Sequence, residues 1–132
     1  MWLPDTNAWI GLINARPSPV KARFQSRTPD SIFLCDVVKA ELYYGAFRSA
    51  RRDDNLALLD SLFPTFPSLS FDGAAARMFG QIRAALASAG TPIGPYDLQI
   101  AAIALVHGLT VVTHNTAEFG RVPQLKTDDW EI

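Results

Sequence analysis

The chain holds one cysteine, Cys35, and two histidines, His107 and His114. A single cysteine excludes an internal disulfide. Placed at the end of Ile32-Phe33-Leu34, it reads as a small buried hydrophobe. The two histidines lack the spacing of zinc ligands, which argues against a zinc site. Neither sign of charge is in excess, since 12 Lys and Arg meet 13 Asp and Glu. Such a balance gives no general attraction for nucleic acid or for a membrane surface, so a polyanion has to be held by a local patch or through a metal. No apolar run approaches the ~20 residues needed to span a bilayer. The longest candidate, Leu98 to Val106, is interrupted by Gln99. A basic-then-apolar leader is absent from the start, as are a Walker sequence and a dinucleotide fingerprint. A reducing, cytoplasmic setting is the expectation.

What is present is a chain of ordinary domain size, 132 residues with 48% hydrophobic residues, read as a single domain over 1–132. At this length folding buries about two-thirds of the surface, enough for a real core. Helix and strand patterns alternate. Trp2-Leu3 is a short apolar start, followed by a helix with Trp9, Leu12 and Ile13 on one face, broken by Pro17 and Pro19. Val20 to Gln25 reads as a short helix and Ser31 to Leu34 as a buried strand. Asp36 is read as the N-cap of a helix from Val37 to about Phe47, and a further helix runs from about Arg52 to Phe63. Leu69-Ser70-Phe71 is a strand, and Asp72 caps a long alanine-rich helix that stops near Gly90. Tyr96 to His107 is helical, Leu109 to Thr113 is a strand, Ala117 to Phe119 is a helical turn, and a last short strand falls around Leu125. Strands separated by helices predict an α/β fold whose parallel sheet is covered on both faces.

Four polar constellations interrupt this pattern: Pro4-Asp5-Thr6-Asn7, Glu41, Pro95-Tyr96-Asp97 and Thr113-His114-Asn115. Asp5 follows the first apolar run, where open α/β sheets bind ligands beyond the carboxyl ends of their strands. It is equally a candidate N-cap. Pro4 removes a backbone donor and predicts a shortened ladder. Glu41 has Val37 and Tyr44 as helical neighbours, so its carboxylate sits on an apolar stripe where desolvation is costly. An ion pair with a basic residue, Arg48 being one turn past Tyr44, is the alternative for it. Asp97 lies in the first turn of a helix that is apolar nearly all round; it either favours the helix dipole or faces the cleft. Asn115 follows a strand ending in Val111-Val112-Thr113, and is a ligand or a turn residue. Glu118 is a lesser candidate one turn further on. Carboxylates gathered at one place cannot all stay ionised without a cation, and oxygen donors favour Mg²⁺ or Mn²⁺ over Zn²⁺.

In order, PDTN, KAELYYG, PIGPYDLQIAAIAL and TVVTHNTAEFGRVPQLKTDDW resemble the PIN-domain family over essentially the whole chain. The last two strings are similar to its VapC-like toxin ribonucleases of type II toxin–antitoxin pairs. The resemblance implies a three-layer α/β/α fold with a mostly parallel central sheet, and an acidic quartet that binds Mg²⁺ or Mn²⁺ and hydrolyses RNA. Carried over by position, Asp5, Glu41, Asp97 and Asn115 are the catalytic set, with Asp5 and Asp97 as metal ligands. Glu41 is then general base or holds water, and Thr6, Thr113, Glu118 and Arg48 are secondary candidates. Asn115 departs from the acid often found at the fourth position and puts a second metal in doubt. The resemblance also implies a VapB-like antitoxin partner and a homodimer. Tyr43, Tyr44, Phe47, Leu56, Leu59 and Phe63 offer apolar surface for such a partner, or are ordinary core. Arg48, Arg51 and Arg52 form the densest basic cluster for RNA, with Asp53 and Asp54 as self-pairing neighbours. Three rival readings remain: a non-catalytic PIN-like binding module, a receiver-like phosphoacceptor domain using Asp72, and an aspartyl phosphatase with Asp5 as nucleophile, against which Asn7 stands where that chemistry wants a second acid.

Overall fold

A computed structural model describes residues 1–132. The elements run β1 (Trp2–Pro4), α1 (Thr6–Ile13), α2 (Pro19–Gln25), β2 (Leu34–Cys35), α3 (Asp36–Phe47), α4 (Arg52–Leu62), β3 (Ser68–Leu69), α5 (Gly73–Ala89), α6 (Pro95–His107), β4 (Thr110–Val112), α7 (Thr116–Phe119) and β5 (Thr127–Asp128). All strand pairings are parallel, as the alternation of helix and strand predicts. β1, β4 and β5 form one ladder in the order β1-β4-β5, and β2 pairs with β3. A single bridge, Trp2 to Ile32, joins the two ladders.

That seam has a cause in the sequence. Residues of a strand alternate the side to which their amides point. The carbonyl of Trp2 accepts from Phe33 at 2.9 Å, so position 4 also faces β2. Pro4 has no N–H to give there, and pairing on that side stops. On the other side the ladder continues: the Asp5 amide donates to the Val112 carbonyl at 2.9 Å. The first strand is thus fixed to β4 and only pinned to β2.

The helices begin and end where local chemistry dictates. Ser18 caps α2 through the Lys21 amide at 3.1 Å, with Pro19 at the first helical position. Asp72 caps α5 through the Ala75 amide at 3.0 Å, a contact of about 1 kcal/mol. α5 and α6 both stop at a glycine in the left-handed region, Gly90 at φ 73° and Gly108 at φ 65°. Asp36, read as an N-cap, is instead the first residue of α3. The buried Cys35 occupies the cap position in extended geometry and makes no side-chain cap. Burial pushes the Cys35 thiol up to about 11, so it acts as a hydrophobe.

α6 is buried along most of its length, from Leu98 through Ala104, and forms the centre of the core with Leu3, Trp9, Ile32, Leu34, Val38, Val111 and Phe119. Edge-to-face aromatic pairs close one end: Phe24 with Trp130 at 5.1 Å and Trp2 with Trp130 at 6.0 Å. The Arg27 guanidinium lies 4.6 Å from the Trp2 ring centre and 4.5 Å from that of Trp130. No helix is long and apolar enough to cross a membrane.

Candidate acidic site at the strand ends

Asp5 sits where β1 gives way to α1. It is 7% exposed, and its Oδ1 accepts from the Ala8 amide at 2.9 Å. Both readings of this residue therefore hold at once, since a carboxylate has two oxygens and the helix cap uses one. The Thr113 hydroxyl also hydrogen-bonds the Asp5 carboxylate, and accepts from the Asn115 amide at 2.9 Å. These bonds pull the Asp5 pKa down, but burial outweighs them, and the charges of Glu41 and Glu131 add to the rise.

Glu41, on α3, accepts from the Thr6 hydroxyl at 2.7 Å. It makes no ion pair. Arg48 lies instead over the Tyr44 ring, 5.4 Å from its centre. The ion pairs present are Arg51 with Asp54 and His114 with Asp129 and Glu131, and none touches Asp5, Glu41, Asp97 or Glu118. The Arg51–Asp54 pair, at 3.0 Å on the surface, is the self-pairing alternative for the basic cluster.

Asp97, in the first turn of α6, is half-buried and its pKa is pushed up to about 6. Burial is the main cause, followed by the charges of Glu118, Asp5 and Glu41. Asp97 and Glu118 hydrogen-bond each other, with the proton resting on Asp97. Glu118 is held ionised by donors: the Gly94 amide gives to Oε1 at 2.8 Å and the Asn115 amide nitrogen to Oε2 at 2.6 Å. Its pKa is lowered accordingly.

The four acids thus feel one another's charge, and the structure brings all four sequence constellations to the carboxyl ends of β1 and β4. Asn115 directs its amide to Glu118, which makes Glu118 the fourth carboxylate of the cluster. The sequence ranks Glu118 behind Asn115 because the Gly94 amide that fixes it comes from a distant loop. Thr113 is buried and braces Asp5; Thr6 braces Glu41.

A second cluster escaped the sequence reading. His114 Nδ1 lies 2.9 Å from Asp129 Oδ2 and 2.8 Å from Glu131 Oε2. The Asp129 hydrogen bond first, then the Glu131 charge, raise the His114 pKa. The visible signal was the acid run Asp128-Asp129 and Glu131 after the last strand.

A groove of ≈ 690 Å³ opens beside Glu41 and Thr6, walled by Ile10, Tyr44, Phe71 and Tyr96. Of the six residues that sequence offered as apolar surface, Tyr44 and Phe47 are exposed, whereas Leu59 and Phe63 are core. Leu56 and Tyr43 are partly buried against that core, and Tyr43 packs edge-on against Phe63 at 5.3 Å. Asp72, the acceptor of the receiver-like reading, caps α5 through its Oδ1 and is not among the acids that act on Asp5 or Asp97.

The PIN domain family model matches residues 2–125. The chain is 42% identical over 126 residues to the tRNA(fMet)-specific endonuclease VapC of Shigella flexneri, covering 96% of this chain and 95% of that protein. It is 35% identical over 129 residues to Ribonuclease VapC2 of Haemophilus influenzae, covering 98% and 97%. Among solved structures, the DNA-bound VapBC of Salmonella typhimurium superposes with a TM-score of 0.90 at 40% identity, covering 98% of this chain and 97% of that one. FitAcB of Neisseria gonorrhoeae gives a TM-score of 0.89 at 28% identity, covering 98% of each.

Proposed function

From the premise that this chain belongs to the PIN-domain family, in its VapC branch, we propose that it is the toxin of a toxin–antitoxin pair and hydrolyses RNA phosphodiester bonds with a divalent cation. One observation carries the reading. Asp5, Glu41, Asp97 and Glu118 are linked by charge and hydrogen bonding with no Lys or Arg paired to any of them, and burial and repulsion between acids raise the pKa values of Asp5 and Asp97. The charge of Arg121 acts on Glu118 without pairing to it, and four carboxylates remain short of positive charge.

The donor set fits a hard cation. It is all oxygen, with neither sulfur nor imidazole among the four, which suits Mg²⁺ or Mn²⁺. Asp5, Asp97 and Glu118 would hold the ion. When bound, it supplies Lewis-acid polarisation of the phosphate and acidification of water. The residues do the rest. Glu41, steadied by the Thr6 hydroxyl, is placed to take a proton from the attacking water. Asn115 and the Gly94 amide keep Glu118 ionised and aimed at Asp97. Thr113 fixes the orientation of Asp5. RNA is the substrate, a VapB-like antitoxin the protein partner, and a second copy of the chain the homodimer mate in this reading.

Purified protein incubated with total RNA and Mg²⁺ or Mn²⁺ should cleave it, and EDTA should stop cleavage. No cutting under either ion would favour a PIN-like binding module. The ion's effect on stability should depend on pH. The folded pKa of Asp97 lies near 6, above its ordinary value, so at lower pH a proton occupies the position that the cation must take. The rise in melting temperature given by Mg²⁺ is therefore expected to be small at pH 5 and to grow through pH 6 to a plateau above about pH 7. Thermal unfolding with and without Mg²⁺ across this range reads it directly. An equal shift at all pH values would contradict Asp97 as a ligand.

A further inference from the structure

The groove beside the acids has a composition that the metal chemistry does not use. Two tyrosines stand exposed in its wall, Tyr44 at 65% and Tyr96 at 58%. They come from different helices: Tyr44 lies one turn beyond Glu41 on α3, and Tyr96 immediately precedes Asp97 on α6. Each aromatic is thus tied to an acid of the cleft. Thr6 and Glu41, which hydrogen-bond each other, belong to both the groove and the acidic site. The other polar side chains that line the groove include the uncharged amides of Asn7 and Gln99 and the carboxylates of Asp36 and Glu41. No Lys or Arg lines the groove. The nearest cation, Arg48, covers the Tyr44 ring at 5.4 Å.

A groove with aromatic faces, amide side chains and negative charge repels phosphate and accepts a flat, neutral, hydrogen-bonding group. The geometry points to a subsite for one unpaired nucleobase of RNA, that of a nucleotide flanking the scissile phosphate. Tyr44 and Tyr96 are its stacking surfaces, and Asn7 and Gln99 meet the base edge. This inference rests on the ribonuclease reading and deepens it. A base lies one sugar from its own phosphate, so a phosphate at the acids delivers the adjoining base to the groove. Arg48, which lies over the Tyr44 ring, is the cation that an adjoining phosphate would meet. Stacking requires that the base be free of its pair, so the subsite selects single-stranded or loop RNA.

The test is a cycle between protein and substrate. An RNA oligonucleotide carrying the bond that the protein cuts in total RNA is made intact, and with the base deleted at each flanking position. Cleavage of each is measured with wild type, Tyr44→Ala, Tyr96→Ala and the two Phe variants. Loss of one flanking base should lower wild-type kcat/KM about 10- to 100-fold, the range of a stacked base. The Ala variants should be slow on intact RNA and nearly indifferent to the deletion. The Phe variants, which keep the ring face, should retain the penalty for base deletion that the Ala variants lose. An unchanged Mg²⁺ shift in melting temperature verifies that the variants fold and keep the acidic site. An equal deletion penalty in wild type and Ala variants would overturn the subsite. So would Ala variants that cleave normally yet lose their antitoxin, which would give the groove to the protein partner. If wild type cuts no RNA with either ion, the ribonuclease reading itself fails, and the subsite with it.

Discussion

Asp97→Asn is expected to abolish RNA cleavage while making the metal-free protein more stable at neutral pH. The two effects share one cause. In the ion-free protein the Asp97 carboxylate is half-buried beside Glu118, Asp5 and Glu41, and its pKa of about 6 shows that the fold disfavours its charge. A carboxyl whose pKa is raised on folding binds its proton more tightly in the native state, so stability falls as pH rises through the interval between 3.8 and about 6. Above that interval the full penalty is present, and Asn, neutral and of the same shape, removes it. Below about pH 4 both proteins carry a neutral group, and the difference should vanish. Loss of a favourable helix-dipole contact opposes the gain, but the raised pKa already includes it, and it does not win.

Activity moves the other way. Removing one preorganised electrostatic group from a catalytic site typically lowers kcat ~10²- to 10³-fold, and a lost metal ligand should cost at least this. Asp5→Asn should behave alike, and Asn retains the cap to Ala8. Melting curves at pH 4 and 7.5, with and without Mg²⁺, should show Asp97→Asn melting above wild type only at pH 7.5 without the ion. Cleavage by the Asn variants at the wild-type rate would mean that other residues do the chemistry, or that a contaminating nuclease does.

Trp130→Ala should be the most destabilising of the substitutions considered, by ~3–5 kcal/mol, the range for deleting a buried Trp or Phe side chain. The ring is 1% exposed and packs against Phe24 and Trp2. Its Nε1 donates to Asp128 Oδ2 at 3.0 Å. With the indole gone, Arg27 keeps only the Trp2 face, and its buried Nε has no hydrogen-bond partner to fall back on. For a chain of this size the loss corresponds to a fall of ~10–20 °C in melting temperature. Trp130→Phe keeps the packing and loses the N–H, so it should cost about 1–2 kcal/mol. A change of less than about 1 kcal/mol for Trp130→Ala in denaturant unfolding would refute the role assigned to this aromatic stack.

The helices were legible because punctuation marks them. Pro19, Asp72, Gly90 and Gly108 each stand at a boundary that their backbone or cap chemistry enforces. The strands were displaced. Ser31–Leu34 became Leu34–Cys35, Leu69–Phe71 became Ser68–Leu69, and the strand expected near Leu125 is Thr127–Asp128. Strands of two residues are too short to show an alternation. Their limits come from distant partners, such as the Leu34 amide bonding Pro67 and the Val111 amide bonding Lys126. The acids stood out because each breaks an apolar context. The link between Glu118 and Asp97 did not, since it depends on the loop that brings Gly94 beside α7. The tyrosine groove was hidden for the same reason: its two tyrosines are far apart in sequence and line one groove only once α3 and α6 pack together.

Pro4 leaves a crease under the acidic site. Asp5 leaves β1 locked to β4, whereas Glu41 rides on the helix that continues from β2, and the main chain ties these two halves at one point. Across the crease, the spacing of the two carboxylates is set by side chains, chiefly the Thr6 hydroxyl on Glu41. A gap held in this way changes by rotamer adjustment, without bending the peptide backbone. Glu41 can thereby shift against Asp5 while both ladders keep their register.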